Sequence, residues 1–122
     1  MTRERLEIGE FGEELAFRKI RSLGYRSIVR NYRCPLGEID LIARDGGTLA
    51  FIEIKTRKGR TVGYAKEAVN AKKRRQLSKV ALAYMKANNC CGIKARFDVV
   101  AVCLGSGEPE IEVIKNAFDL AY

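Results

Sequence analysis

The amino-acid sequence predicts a mixed α/β fold in which two helices flank one sheet, with the elements in the order α-βββ-α-ββ. Two segments repeat apolar residues at helical spacing, and five shorter apolar segments are bounded by turn-forming residues. The length of 122 residues matches one domain with an ordinary hydrophobic core. We therefore expect residues 1–122 to form a single domain.

The first predicted helix covers residues 4–23. Its apolar residues fall within one broad stripe, as expected for a helix that covers a core. Gly24 follows the helix, at the position where many helices end. The stripe contains Ile8, Phe11, Leu15, Ile20 and Leu23.

Three strands are predicted to follow as an antiparallel meander, at residues 25–33, 37–44 and 48–57. A turn that contains Pro35 separates the first two strands. Two glycines after Asp45 form a hairpin turn before the third strand, because glycine tolerates positive φ.

The second half begins with a basic loop at residues 58–63, which leads into a long predicted helix at 64–88. The nearly unbroken apolar segment 95–104 is typical of a strand buried on both faces. A last short strand is predicted at 110–114. The connection from the strand at 48–57 through the helix predicts a right-handed crossover and a parallel strand pair.

The composition limits the available chemistry. Lys and Arg total 23 against 15 Asp and Glu, and the resulting charge of +8 favours a polyanionic partner such as nucleic acid. The absence of histidine excludes Ser-His-Asp and Cys-His nucleophiles and imidazole zinc sites. The four cysteines lack zinc-binding spacing, so we expect reduced thiols in a cytoplasmic protein. No apolar segment resembles a signal peptide or a membrane span.

Alternation along the second and third strands brings acidic residues together. Glu53 and Lys55 are predicted to share one face of the third strand. In the second strand, Asp40 is predicted to share a face with Ile42, opposite Leu41. An exposed, charge-decorated hairpin is the alternative. Two helices must each cover a sheet face, however, and this favours carboxylates that line a cleft.

These residue types suit a metal centre. Asp40 and Glu53 on neighbouring strands can hold a hard divalent cation, with the backbone carbonyl of Ile54 as a further ligand. Lys55 can stabilise developing negative charge or orient an attacking water. On the first helix, Glu13 lies at the margin of the apolar stripe and is the candidate third carboxylate. The alternative for Glu13 is an ordinary solvated acid.

The ordered motifs GEFGEELA, NYR, GEIDLIARDGGTLAFIEIKTR, RFDVVAV and IKNAF resemble the bacterial YraN-like family over residues 9–118. That family is similar to Holliday-junction resolvases and restriction endonucleases of the PD-(D/E)xK superfamily. The resemblance implies a restriction-endonuclease-like fold and a Mg²⁺- or Mn²⁺-dependent site. It places Asp40, Glu53 and Lys55 at the motif positions and Glu13 at the helix position.

The resemblance has three further implications. Gln76 matches a polar position of the second helix near such sites. By analogy with junction resolvases, a symmetric homodimer would let two sites address two strands. The sequence departs from the superfamily pattern at Ile39, which stands where a proline precedes the aspartate.

Basic residues surround the predicted centre. One group follows the third strand and could steer a phosphate to the metal, and a second group lies on the second helix. The alternative for the helix group is an ordinary solvated face. The predicted nucleic-acid-binding residues are Arg57, Lys58, Arg60, Lys72, Lys73, Arg74, Arg75 and Gln76.

Together these features predict a nucleic-acid-binding protein that acts as a metal-dependent endonuclease on DNA, with branched DNA of repair or recombination as a candidate substrate. One alternative is a non-catalytic nucleic-acid-binding module with a vestigial site. Another is a structural partner that docks its basic face on an acidic protein. Sequence alone does not separate DNA from RNA as the ligand.

Overall fold

The computed structural model describes residues 3–58, 69–105 and 107–119. In these residues two helices flank one five-stranded sheet, and the predicted mixed α/β class and element order are confirmed. The helices are α1 (Arg3–Ser22) and α2 (Ala71–Ala87). The strands are β1 (Arg26–Cys34), β2 (Gly37–Asp45), β3 (Thr48–Lys58), β4 (Ala95–Leu104) and β5 (Glu110–Phe118).

The strands lie in the spatial order β1-β2-β3-β4-β5. β3 and β4 pair in parallel and the other neighbours pair antiparallel, as the predicted meander and crossover require. No helix in the described part of the chain is long and apolar enough to cross a membrane.

Each face of the sheet packs against one helix. The α1 core contains Ala16 and Ile20 together with Ile52 and Val100 of the sheet. The α2 core lies on the other face and contains Leu77 and Val80 of α2 together with sheet residues. The sheet residues of the α2 core include Ile39, Ile42, Phe51, Phe97 and Val99. Both faces are therefore covered, which explains why β4 is apolar along most of its length.

Helix α2 begins later than the periodicity predicts. Asn70 has an extended backbone, with φ −73° and ψ 171°, and its side chain accepts a hydrogen bond from the Lys73 N–H. A residue that caps a helix in this way cannot lie inside it. The prediction of a helix from residue 64 is therefore wrong at Val69 and Asn70, and residues 64–68 lie outside the described residues.

Strand β5 continues to Phe118, past the predicted end at residue 114. The pairing of β4 with β5 is irregular between Phe97 and Val99, and Asn116 has a φ of +53°. Between these paired positions β4 has one residue and β5 has three, so the bulge absorbs two extra residues of β5 and lets the strands resume pairing beyond it. The apolar alternation that identifies the first half of β5 is lost at the bulge, so sequence periodicity misses the second half.

The carboxylate of Asp98 is fully buried and connects several elements. It accepts hydrogen bonds from the Tyr25 hydroxyl at 2.7 Å, from Arg96 Nε at 2.9 Å and from the Asn116 N–H at 2.9 Å. Arg96 also pairs with Asp45, which accepts a hydrogen bond from Lys115 Nζ. This Asp98 network joins the end of α1, the β2–β3 hairpin, β4 and β5, and the partners offset the cost of burying charge.

We expect Asp98→Asn to lower the free energy of unfolding by on the order of 3 kcal/mol, because it leaves the Arg96 cation without its buried counter-charge. Tyr25→Phe should cost about 1 kcal/mol, because Asp98 keeps its other donors. Urea denaturation of both variants measures the difference. Equal losses would show that the charge of Asp98 contributes nothing beyond one hydrogen bond.

Candidate metal centre

Strands β2 and β3 separate at Asp40. Their pairing register begins at Leu41 with Ile52, and the Ile54 N–H donates to Asp40 Oδ2 at 2.8 Å. A side-chain oxygen thus replaces the backbone acceptor that a continuous ladder would supply. The N–H and C=O of an extended residue point to the same side of its strand, so the Ile54 carbonyl faces the same opening. We call this opening, between Asp40 and Ile54, the β2–β3 gap.

The side chains of β3 alternate as predicted. Phe51 packs in the α2 core, whereas Ile52 and Ile54 pack in the α1 core. Alternation places Glu53 and Lys55 on the Phe51 side of the strand. Glu53 therefore reaches the β2–β3 gap from the side of α2.

The predicted alternation of β2 is wrong at Asp40. Asp40 lines a pocket together with Leu41, whose side chain belongs to the α1 core, rather than sharing the face of Ile42 in the α2 core. Ile39 and Ile42 both pack in the α2 core, so the alternation of β2 is interrupted between them. Asn31, across from Asp40 in β1, has a φ of +53°. Asp40 consequently enters the gap from the side of α1.

Glu53 is buried, with 7% of the residue exposed. Desolvation raises the pKa of its carboxyl group to about 8, and repulsion by Asp40 adds to the shift. Attraction to Lys73 and, to a smaller extent, to Lys55 opposes it. Lys73 Nζ lies 3.9 Å from Glu53 Oε2, so the ammonium group of a lysine on α2 lies close to the acidic pair formed by Asp40 and Glu53.

Glu13 faces the same pocket from α1. It lines the pocket with Asp40 and Ile54, and desolvation followed by repulsion from Asp40 raises the pKa of its carboxyl group. Glu14 instead pairs with Arg18 and Arg30. The structure thus places Glu13 beside Asp40, and its role as a metal ligand stays a prediction.

The donors at the gap suit a cation that keeps part of its hydration shell. Within residues 3–58, 69–105 and 107–119, no group of three or more acidic or cysteine side chains is arranged to hold a metal ion. Two carboxylates, the Ile54 carbonyl and waters match the way Mg²⁺ is usually bound. Asp40 keeps one carboxylate oxygen beyond the one that receives the Ile54 N–H.

The predicted nucleic-acid-binding residues do not all lie together. Arg57 and Lys58 are exposed at the end of β3, and Lys72, Arg75 and Gln76 are exposed on α2. Arg60 lies outside the described residues.

Arg74, a member of the predicted set, is used within the fold. Arg74 Nε donates to the Val69 carbonyl at 2.8 Å, and its guanidinium lies over the ring of Phe118. Its neighbour Lys73 instead turns towards Glu53. In the basic run of α2, Arg74 thus makes a structural contact and Lys73 faces the candidate metal centre, while Lys72 and Arg75 are exposed.

Two residues at the pocket escaped the sequence analysis as site residues. Asn31 and Arg30 both line it, and the Arg30 guanidinium lies 4.2 Å from the centre of the Phe17 ring. Strand alternation could not identify them, because it assumes a regular strand backbone and Asn31 has a positive φ. The NYR motif was the available signal.

Helix α1 lies very close to β3 at Gly12. A Cβ added to Gly12 would lie 2.6 Å from Thr56 Cγ2, closer than real side chains approach. Gly12 therefore brings the neighbouring Glu13 within range of the β2–β3 gap.

We expect Gly12→Ala to destabilise the fold by about 1–3 kcal/mol and to displace α1 from β3, because the new methyl group overpacks the contact with Thr56. Gly9→Ala is the matched control, since a Cβ at Gly9 meets no atom within 4 Å and alanine favours a helix. Chemical denaturation should show loss in the first variant and a gain of up to about 1 kcal/mol in the second. Similar changes in both would argue against the close contact.

The raised pKa of Glu53 predicts a pH-dependent stability in the presence of EDTA. Folding favours the protonated carboxyl group, so stability should fall as pH rises from about 4.5, the unfolded value, to about 8. The chain has no histidine, so few other groups titrate in this range. Glu53→Gln should flatten the dependence and exceed wild type at pH 8 by on the order of a few kcal/mol.

Glu112→Gln provides a control for that experiment, because it makes the same charge change at an exposed position of β5. Denaturation midpoints at a series of pH values compare the three proteins. A wild-type slope that persists in Glu53→Gln would contradict the assignment to Glu53.

The family described as Uncharacterised protein family UPF0102 matches residues 12–102. A UPF0102 protein of Syntrophus aciditrophicus is 44% identical over 119 residues, which cover 98% of this chain and 94% of the relative. A UPF0102 protein of Geobacter sulfurreducens is 47% identical over 116 residues, covering 94% and 91% of the two chains. A UPF0102 protein of Moorella thermoacetica is 44% identical over 120 residues, covering 97% and 100%.

Proposed function

The chain belongs to Uncharacterised protein family UPF0102, and from this premise and the geometry of the gap we propose that it is a metal-dependent endonuclease that hydrolyses DNA phosphodiester bonds. Membership confirms the predicted relation to the YraN-like family. The observation that carries the proposal is the buried Glu53 beside Asp40, where two strands part. The likeness to PD-(D/E)xK nucleases, inferred from motif order, is part of the proposal.

Burial of a carboxylate beside another carboxylate costs stability, and such arrangements cluster at functional sites. Asp40 and Glu53 each have a share in that cost, because each repels the other and Glu53 is desolvated. A divalent cation would relieve the repulsion. Mg²⁺ or Mn²⁺ supplies, when bound, charge neutralisation of the phosphate and a more acidic water.

The chain's own residues have distinct parts in this proposal. The Ile54 N–H orients the Asp40 carboxylate, leaving one oxygen for the cation, and Glu53 contributes the second carboxylate. Lys55 lies on the Glu53 side of β3 and stabilises the negative charge that develops on the phosphate. Glu13 would help to hold the cation, directly or through water.

DNA is the proposed substrate because of the charge distribution. The net charge is +8, and helix α2 carries basic residues with no acidic residue. Phosphate contacts by such residues provide sequence-independent affinity. The four cysteines are free thiols, which agrees with the cytoplasmic location that we propose. A homodimer that presents two sites is proposed by analogy with junction resolvases.

A non-catalytic nucleic-acid-binding module is the second candidate. It is favoured by the lack, within the described residues, of a group of three or more metal-binding side chains. In that case the basic residues bind nucleic acid, and the acidic pair has no catalytic partner.

We expect the wild-type protein to cleave DNA in Mg²⁺ or Mn²⁺ but not in EDTA, and Asp40→Asn to reduce the rate by at least about a hundredfold through loss of a ligand charge. Cleavage assays on linear and branched DNA and on RNA test this expectation.

Binding of Mn²⁺ should also stabilise the fold. Wild type should gain about 2.7 kcal/mol of stability at a Mn²⁺ concentration one hundred times the Kd, whereas Asp40→Asn should gain little. Melting curves with and without Mn²⁺ measure this difference.

Glu112→Gln is the matched control, since it removes one exposed negative charge from β5 and should behave as wild type. DNA binding without cleavage on any substrate would favour the non-catalytic module. An equal gain of stability in Mn²⁺ for wild type and Asp40→Asn would contradict the proposed metal centre.

A further inference from the structure

Lys73 stands apart from the other cations of α2, because its ammonium faces a buried carboxylate. Its Nζ lies 3.9 Å from Glu53 Oε2, and the two side chains are 33% and 9% exposed. The distance exceeds that of a hydrogen bond, so the contact is a charge interaction through space. Lysine has a flexible four-carbon stem, which allows the ammonium to leave this position without movement of the helix.

We propose that Lys73 is the internal counter-ion of Glu53, that it competes with a divalent cation for this carboxylate, and that it moves to a substrate phosphate once the cation is bound. The inference rests on the proposed function and adds a residue that controls metal affinity at the same site. Lys55 keeps its separate position on β3.

The placement of Lys73 is unfavourable for the helix alone. It is the third residue of α2, where the positive end of the helix dipole repels cations, and the first turn contains no acidic residue. Its neighbour Arg74 is held by the Val69 carbonyl and the Phe118 ring. The negative charge of Glu53 is the feature that compensates a lysine at this position.

The same geometry makes Lys73 sensitive to a bound cation. Two positive groups at one buried carboxylate repel each other, and the effective dielectric constant near a partly buried site is well below that of water. Once the cation is bound, the Lys73 ammonium is more stable beside an anion at the entrance of the site than beside Glu53. Exposure of a third of the Lys73 side chain leaves such an exit available.

Titration of Mn²⁺ into the full chain tests the competition. Lys73→Met keeps the apolar stem but removes the charge, and we expect it to bind Mn²⁺ about five- to tenfold more tightly than wild type. Lys73→Arg should restore wild-type affinity. Lys79→Met makes the same charge change at an exposed position of the same helix and should change affinity by less than about twofold.

Binding of a short DNA duplex tests the exchange of partner. In Ca²⁺, Lys73→Met should bind DNA about fivefold more weakly than wild type, because a phosphate contact is lost. In EDTA at about pH 9, where Glu53 is ionised, the two proteins should differ by less than about twofold, since Lys73 is then held by Glu53. An equal loss in both conditions would show that Lys73 is an ordinary surface cation and would overturn the proposed exchange.

The outcomes separate this inference from the proposed function. Wild-type Mn²⁺ binding that Lys73→Met leaves unchanged or weakens would overturn the counter-ion role and leave the metal centre standing. The expected affinity change without any DNA cleavage would support the counter-ion role and contradict the nuclease. If neither wild type nor Lys73→Met binds Mn²⁺, both proposals fail.

Discussion

The hydrogen bonds to the Asp98 carboxylate hold helix α1 in place on the sheet. Tyr25 lies in the short connection between α1 and β1 and donates to Asp98, while Arg96 carries the connection on to Asp45 in the hairpin. At the other end of the contact, Gly12 lets α1 approach Thr56 closely. The helix is thus fixed at two separate points. Glu13 lies next to one of them, so the geometry at the β2–β3 gap depends on contacts made throughout the length of α1.

The gap itself arises from a local failure of regular sheet pairing. Strands that pair without interruption satisfy their N–H and C=O groups and leave no room for a ligand. Here the Asp40 carboxylate satisfies the Ile54 N–H, and the alternation of β2 is broken between Ile39 and Ile42, where Asp40 turns towards α1. Both faces of the sheet are covered by helices, so a polar opening can form only where pairing is broken.

Sequence patterns predicted those parts of the fold that depend on neighbouring residues. The alternation of β3 placed Glu53 and Ile54 correctly, and two glycines after Asp45 located the hairpin. Asp40 was placed on the wrong face, because strict alternation does not hold in β2, where Ile39 and Ile42 both pack in the α2 core. The approach of Lys73 to Glu53 joins two elements that are distant in the chain, and no periodicity within α2 or β3 contains that information.

Asp98 and Glu53 show how two buried carboxylates of one protein can serve different purposes. Both are nearly inaccessible to solvent, but Asp98 accepts hydrogen bonds from a tyrosine, an arginine and a backbone N–H. Glu53 faces Asp40, a second carboxylate with which it shares a hydrogen bond, and its Oε2 lies 3.9 Å from Lys73 Nζ. A carboxylate with enough donors is stable without a ligand and strengthens the fold. Burial beside a second carboxylate instead disfavours the charged form of Glu53, and this difference in partners, rather than burial, supports the proposal that Glu53 belongs to a functional site.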